Sequence, residues 1–152
     1  MERARLATVD DADVLAELLH DFNTEFGAPT PGAPLIAASL RDLLAADATF
    51  AFLAGSPAAG MGLVTLRPNV WYDGPVALLD ELYVVPDRRG HGIGTAMIEL
   101  LMTECRAREV RLIEINVDES DVDAQRFYRR HGFSDVDPDS GERASYFLHQ
   151  LG

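Results

Sequence analysis

Lysine is absent from this sequence, so all 13 basic residues are arginine. A P-loop needs a lysine followed by serine or threonine, which excludes that class of nucleotide site. Cysteine is nearly absent, since Cys105 is the only one. An intrachain disulfide is therefore excluded, and a reducing compartment, with the cytoplasm as the default, is expected. The histidines lack metal-ligand spacing, so we predict no bound metal.

Long apolar runs are also missing. Arg41, Asp42 and Asp47 interrupt the most apolar stretch, and the first residues do not build a signal-peptide core, so neither a membrane span nor a secretory leader is expected. Apolar residues make up 47% and charged residues 25% of the 152 residues, which is ordinary for one globular domain spanning 1–152. A net charge of -12 disfavours nucleic acid and anionic membranes and favours cationic substrates. Solubility alone is an equally good explanation of that charge.

The pattern of apolar residues predicts the element order β-α-α-β-β-β-α-β-α-β-β, a mixed sheet with helices on both faces and one parallel crossover. About seven strands and four helices are expected. The strands are predicted at 3–8, 49–54, 60–66, 76–85, 111–117, 133–136 and 144–148, and the helices at 12–27, 35–45, 92–108 and 121–132.

The sharpest signal lies between a buried strand and an amphipathic helix. There the chain reads Arg89-Gly90-His91-Gly92-Ile93-Gly94. Glycine lacks a Cβ, so successive backbone N–H groups can approach a pyrophosphate closely, and the helix that begins there adds its N-terminal donors. A Rossmann fingerprint is rejected, because these glycines come mid-chain at another spacing. A glycine-rich start of a helix without a ligand stays open as the alternative.

Three blocks carry a family resemblance: Leu82-Tyr83-Val84-Val85-Pro86, the pattern formed by Arg89, Gly92 and Gly94, and the segment from Ala124 to Phe133. Together they resemble the GNAT superfamily of N-acetyltransferases, and the order of the earlier elements is similar too. The resemblance implies the GNAT-type mixed α/β fold, acetyl-CoA as co-substrate, and often a homodimer. It implies cofactor contacts from Leu82, Tyr83, Val84, Arg89, Gly90, His91, Gly92, Ile93, Gly94, Thr95, Asn116, Asp121, Ala124 and Tyr128. Asp121 stands where the family usually has Asn, which keeps helix capping but weakens an amide contact to pantetheine.

The same resemblance implies catalytic roles. The family places a phenol at Tyr128, near the CoA sulfur, which suits a general acid; core packing of Phe127 and Tyr128 is the alternative. Asp80 and Glu81 are adjacent acids in an otherwise apolar strand, where a carboxylate is costly without a purpose or partner. A regular strand sends only one of them to a given face, unless a bulge intervenes.

The order Leu79-Asp80-Glu81-Leu82-Tyr83-Val84, with Trp71-Tyr72 before it, resembles the diamine and polyamine acetyltransferase branch. That branch implies Asp80 as the base and Glu81 as a substrate-binding residue. A structural pairing of either acid with an arginine is the alternative.

Trp71, Tyr72 and Phe26 are expected to line the acceptor side. Their bulk favours a small-molecule amine, such as a polyamine, aminoglycoside or amino acid. An enzyme for protein N-termini or lysines, and a non-catalytic acyl-CoA sensor, stay open as alternatives.

Overall fold

A computed structural model describes residues 2–152, which form five β-strands, four α-helices and two 3-10 turns. The strands are β1 Ala4–Leu6, β2 Thr49–Ala54, β3 Gly60–Arg67, β4 Val76–Val84 and β5 Leu112–Ile115. The helices are α1 Ala12–Glu25, α2 Ala33–Ala45, α3 Ile93–Ala107 and α4 Val122–Arg130.

The five strands form one sheet in the order β1-β2-β3-β4-β5. The first three pairings are antiparallel, and β4 pairs with β5 in parallel. Parallel neighbours need a crossover connection, which α3 supplies between β4 and β5. The predicted mixed sheet with one parallel crossover is therefore confirmed.

Helices pack on both faces of the sheet, as predicted. On one face α1 and α2 bury Leu15, Leu18 and Leu40 against strand residues such as Leu53 and Met61. On the other face α3 buries Ile93, Met97 and Leu101. A side chain added at Gly60 would strike Ile93 and Met97, so this glycine lets α3 approach β3 closely.

The expected count of about seven strands is wrong, because the two C-terminal strands do not form. Of the ranges predicted at 133–136 and 144–148, residues 2–152 show only an isolated bridge between Val136 and Arg143. A strand exists only where a partner supplies ladder hydrogen bonds, and apolar alternation by itself does not create that partner.

The chain divides into two compact units, one ending at Ile115 and the other running from Asn116 to Gly152. The first contains the whole sheet and α1 to α3, and the second contains α4. In residues 2–152, no helix has the length and apolar character needed to cross a membrane.

Candidate functional site

The glycine turn lies where the sequence places it, between β4 and α3. Gly90 and Gly92 have φ angles of 77° and 85°, in the left-handed region that favours glycine. A Cβ built on either residue meets nothing within 4 Å. These glycines are therefore required by the backbone conformation, and the space beside them is open to a ligand.

Gly92 is also the N-cap of α3, a helix of 15 residues. The helix begins with no side-chain cap hydrogen bond and no acid in its first turn. The first N–H groups of a helix have no carbonyl partner within the helix, and they carry the positive end of its dipole. An anion placed beside Gly92, Ile93 and Gly94 would be stabilised by this geometry.

Both arginines of the turn are paired with acids in the described structure. Arg88 contacts the carboxylate of Glu2, and Arg89 contacts that of Glu25. Each guanidinium carries a positive charge that would otherwise be available to an anion. The ion pairs neutralise much of that charge, so the backbone amides become the main donors to an anion.

The two adjacent acids of β4 lie at a β-bulge. Leu63 of β3 pairs with Glu81 and Val64 pairs with Leu79, so Asp80 is the extra residue without a partner across the ladder. A bulge breaks the strict alternation of side chains between the two faces of a strand. It therefore permits Asp80 and Glu81 to serve one site, which a regular strand would prevent.

The environments of the two carboxylates differ. Asp80 is exposed and accepts a hydrogen bond of 2.5 Å from Thr65 Oγ1. Glu81 is half-buried, and its burial, with the negative charge of Asp80 beside it, raises the pKa of the Glu81 carboxyl. No ion pair within residues 2–152 includes either acid. The structure thus does not pair them with an arginine.

The pairing of β4 with β5 stops at the same point. It runs from Val76 opposite Leu112 to Leu79 opposite Ile115. Beyond Leu79, residues 80–84 of β4 have no strand partner on that side within residues 2–152. No strand within residues 2–152 therefore pairs with that edge of β4 at residues 82–84. The Val84 carbonyl accepts a hydrogen bond of 2.9 Å from Arg89 Nε.

Trp71 and Tyr72 lie on the loop between β3 and β4, at the opposite end of β4 from the glycine turn. The Asn69 side chain holds this loop by accepting hydrogen bonds from the amides of both residues, at 2.9 and 2.8 Å. Trp71 is 85% exposed. Since β4 runs from Val76 to Val84, about 26 Å separate the ends of the strand. The structure does not bring the Trp71 loop and the turn together.

Phe26, in contrast, lies close to the turn. It caps α1 and packs edge-on against Phe22, with ring centroids 5.4 Å apart. Phe22 stacks on Tyr83 of β4 at 4.8 Å. The C-terminal end of α1 and the end of β4 therefore share an aromatic cluster.

The other expected site residues belong to the second unit. Asp121 caps α4, because its carboxylate accepts a hydrogen bond of 3.0 Å from the Ala124 amide, as predicted. Tyr128 is 9% exposed and packs edge-on against Phe127 and Phe133. Asn116 is exposed.

Sequence reasoning missed two residues that the structure connects to the site. Thr65 donates to Asp80, and Glu25 accepts from both Arg89 and Tyr83. An acid in the last turn of a helix opposes the helix dipole, and this was the one available signal for Glu25. Residues 2–152 contain no group of three or more His, Cys, Asp or Glu side chains arranged to hold a metal ion.

Comparison with known proteins supports one family. The sequence profile of the Acetyltransferase (GNAT) family matches residues 15–133. An uncharacterized N-acetyltransferase from Methanocaldococcus jannaschii is 40% identical over 60 residues, which cover 40% of this chain but 26% of that protein. The match thus spans about a quarter of that relative.

Two crystal structures are similar over almost the whole chain. An acetyltransferase candidate from Arthrobacter sp. FB24 has 49% identity and a TM-score of 0.92, with coverage of 99% of this chain and 97% of that one. An aminoglycoside acetyltransferase from an uncultured soil metagenomic sample, solved with sisomicin, has 18% identity and a TM-score of 0.81, with the same coverage. At that identity the second likeness shows the fold alone.

The family profile covers most of the chain, including β4, the glycine turn and α3. The chain therefore belongs to the GNAT acetyltransferase family and is an acetyl-transferring enzyme.

Proposed function

We propose that this enzyme transfers the acetyl group of acetyl-CoA directly to a primary amine of a small molecule. The observation that carries the proposal is the pair of acids at the bulge of β4. This pair of acids lies on β4, the strand that leads into the glycine turn, at the point where pairing with β5 ends. Cofactor and acceptor would then meet on one strand.

The glycine turn fits the pyrophosphate of CoA. Its left-handed glycines leave open space beside the backbone, and α3 begins there without a cap or an acid. The groups that would hold the cofactor in this unit are the backbone amides of Arg89 to Thr95, together with the edge of β4 at Leu82, Tyr83 and Val84 that β5 does not pair with. When bound, acetyl-CoA supplies an activated thioester, whose acyl carbon the amine attacks.

The acid pair would bind the acceptor and remove its proton. Glu81 suits the base, because burial and the neighbouring charge raise the pKa of its carboxyl and so increase its affinity for a proton. Asp80, exposed and held by Thr65, suits the cation of the incoming amine. These roles are the reverse of those that the diamine acetyltransferase branch implies.

Tyr128 is the proposed general acid, on the resemblance of its segment to the family. In the balanced reaction the amine nitrogen bonds to the acyl carbon and the C–S bond breaks. The ammonium of the acceptor gives one proton to the solvent before attack and a second to a carboxylate as the C–N bond forms. The phenol gives its proton to the thiolate of CoA and regains one from the solvent, to which the carboxyl also returns its proton. The family resemblance implies further cofactor contacts from Asn116, Asp121 and Ala124.

A small cationic acceptor is favoured by charge. The chain carries a net charge of -12, and its candidate acceptor site contains two carboxylates that form no ion pair with an arginine among residues 2–152. The fold shared with an aminoglycoside acetyltransferase is compatible with a polyamine- or aminoglycoside-like amine. The proposal includes a cytoplasmic location, which rests on the single cysteine, and a homodimer, which rests on the family resemblance.

Thiol release from acetyl-CoA, measured with a panel of amines and peptides, tests the proposal. We expect turnover with spermidine, sisomicin or an amino-acid amine, and none without an acceptor. Turnover with peptides alone would indicate a protein acetyltransferase. Binding of acetyl-CoA without turnover on any acceptor would indicate a sensor.

The roles of the acids are tested by pH-rate profiles. Glu81→Gln is expected to remove the limb of kcat/KM that reports the base and to lower kcat by about 100-fold or more. Asp80→Asn is expected mainly to raise KM for the amine. Glu99→Gln, which removes one exposed acid from α3, is the matched control. An unchanged profile for Glu81→Gln would rule out its role as the base.

A further inference from the structure

Glu25, in the last turn of α1, joins that helix to the glycine turn. Its carboxylate accepts hydrogen bonds from Arg89 Nη1 at 2.9 Å and Nη2 at 2.8 Å. It also accepts one from the Tyr83 hydroxyl at 2.9 Å. Arg89 Nε donates to the Val84 carbonyl at 2.9 Å. We call these four residues, Glu25, Tyr83, Val84 and Arg89, the Glu25 clasp.

Each nitrogen of the Arg89 guanidinium is therefore engaged with the protein. A bidentate pair of this kind has a defined geometry as well as a favourable energy. The side chain is held between a carboxylate and a strand carbonyl, and its charge is balanced by Glu25. Three of the five N–H donors of the guanidinium are used in this way, so at most two remain for a phosphate.

The position of Glu25 adds a second argument. A carboxylate in the last turn of a helix is unfavourable with the helix dipole, and α1 has no basic residue there to offset it. Glu25 therefore does not stabilise α1 through the helix dipole. The Glu25 carboxylate is stabilised instead by its ion pair with Arg89, the residue immediately before Gly90 at the start of the turn.

The clasp has a rigid base. Tyr83 is 4% exposed and stacks on Phe22 at 4.8 Å with an interplanar angle of 12°. The Arg89 guanidinium lies 5.6 Å from the centroid of the Tyr83 ring. Arg89 thus rests on a buried aromatic residue of β4 while α1 holds its far end.

We propose that Glu25 is a positioning residue that acts through Arg89 to set the backbone of residues 89–94 for the pyrophosphate. The inference rests on the proposed binding of acetyl-CoA at the turn. It assigns to Arg89 the role of an anchor rather than of a phosphate ligand. A preset backbone binds its ligand more tightly, because less ordering remains to be done on binding.

The ionisation of Glu25 and Tyr83 favours the hydrogen bonds of the Glu25 clasp at neutral pH. The hydrogen bonds from Arg89 hold the pKa of the Glu25 carboxyl below its ordinary value. Burial, aided by the bond to Glu25, raises the pKa of Tyr83 to about 12. Glu25 therefore stays an acceptor and Tyr83 a donor around neutral pH.

Calorimetric titration of acetyl-CoA into wild-type and Glu25→Gln protein, with steady-state kinetics, tests the inference. We expect Glu25→Gln to raise Kd and KM for acetyl-CoA by about tenfold, with kcat at saturation within about twofold of wild type. Glu17→Gln, on an exposed position of the same helix, is the matched control and should leave both constants unchanged. Glu25→Asp, which keeps the charge, should restore part of the affinity.

Two results would overturn the inference. An unchanged Kd in a folded Glu25→Gln protein would show that the clasp does not set the turn. A lower Kd would show that Glu25 holds back an arginine that binds phosphate directly. If Glu25→Gln fails to fold, Glu25→Asp decides: a Kd raised about threefold supports the inference, and an unchanged Kd overturns it.

The double variant Glu25→Gln/Arg89→Gln adds a measurement specific to a residue that acts through another. We expect it to bind acetyl-CoA no more weakly than Arg89→Gln alone, and additive losses would contradict the coupling. Failure of wild-type protein to bind acetyl-CoA would instead refute the proposed function, so the two failures are distinguishable.

Discussion

Replacing Gly62 of β3 with alanine should destabilise the protein through one contact in the core. Gly62 pairs with Phe52 of β2, and a Cβ built on Gly62 would lie 2.2 Å from both Cε2 and Cζ of that ring. Phe52 is fully buried, at 0% exposed. Ordinary contact begins at 3.4 Å, so the ring or the strand must move by 3.4 - 2.2 = 1.2 Å.

Two opposing effects decide the size of the change. Overpacking of a dense core costs about 3 kcal/mol for a displacement of this kind. Replacement of glycine by alanine in a strand returns roughly 0.5 to 1 kcal/mol of backbone entropy. The net loss is therefore about 2 kcal/mol, which lowers Tm by roughly 4 to 8 °C in a chain of this length.

Urea unfolding of Gly62→Ala, Phe52→Leu and the double variant measures this coupling. In the Phe52→Leu background the ring atoms that Gly62→Ala would strike are gone, so the same alanine should be neutral or stabilising. Wild-type stability of Gly62→Ala would refute the reasoning. So would an equal loss in both backgrounds, because the cost would then not come from the ring.

Two further predictions concern carboxylates. The raised pKa of Glu81 means that its ionised form is less favourable in the folded chain, so stability falls as pH rises through the folded pKa. Glu81→Gln should thus be more stable than wild type at pH 8, with a smaller difference at pH 5, as thermal melts at the two pH values would show; lower stability of the variant at pH 8 would contradict this prediction. Arg5 bonds Asp11 at 2.8 and 2.9 Å and lowers the pKa of its carboxyl to about 2, so this stabilisation is present at neutral pH and lost as pH falls from 3.8 towards 2. Because the Arg5 side chain is 60% exposed, Asp11→Asn should lower the free energy of unfolding by only about 1 kcal/mol at pH 7. In urea unfolding, the variant should lose less stability than wild type as pH falls below 3.8, and an equal loss would show that the pair does not stabilise the fold.

Local sequence was sufficient to predict most helices and strands, since apolar periodicity and the residues that begin or end an element are properties of neighbouring residues. The helix predicted at 92–108 is Ile93–Ala107, and the strand predicted at 76–85 is Val76–Val84. The glycine turn followed in the same way, because left-handed φ angles at Gly90 and Gly92 need only the absence of a Cβ. The Asp121 cap was equally local, since its bond spans three residues.

The predicted strands at 133–136 and 144–148 show where local pattern fails. Tyr146, Phe147 and Leu148 are apolar and strand-prone, yet they are 63%, 91% and 67% exposed and form no strand. β-propensity reflects the neighbours that a strand acquires as much as its own residues. Nothing in a single segment states whether those neighbours exist.

The sequence by itself determined the family motif, the residues with the chemistry for acyl transfer, and the turn at which a pyrophosphate would fit. Only the tertiary structure decided the bulge at Asp80 and the partner of Arg89. The first depends on how β3 aligns with β4, and the second joins residues that are 64 apart in the chain. Such contacts follow from packing between distant segments, and no local pattern of residue types encodes them.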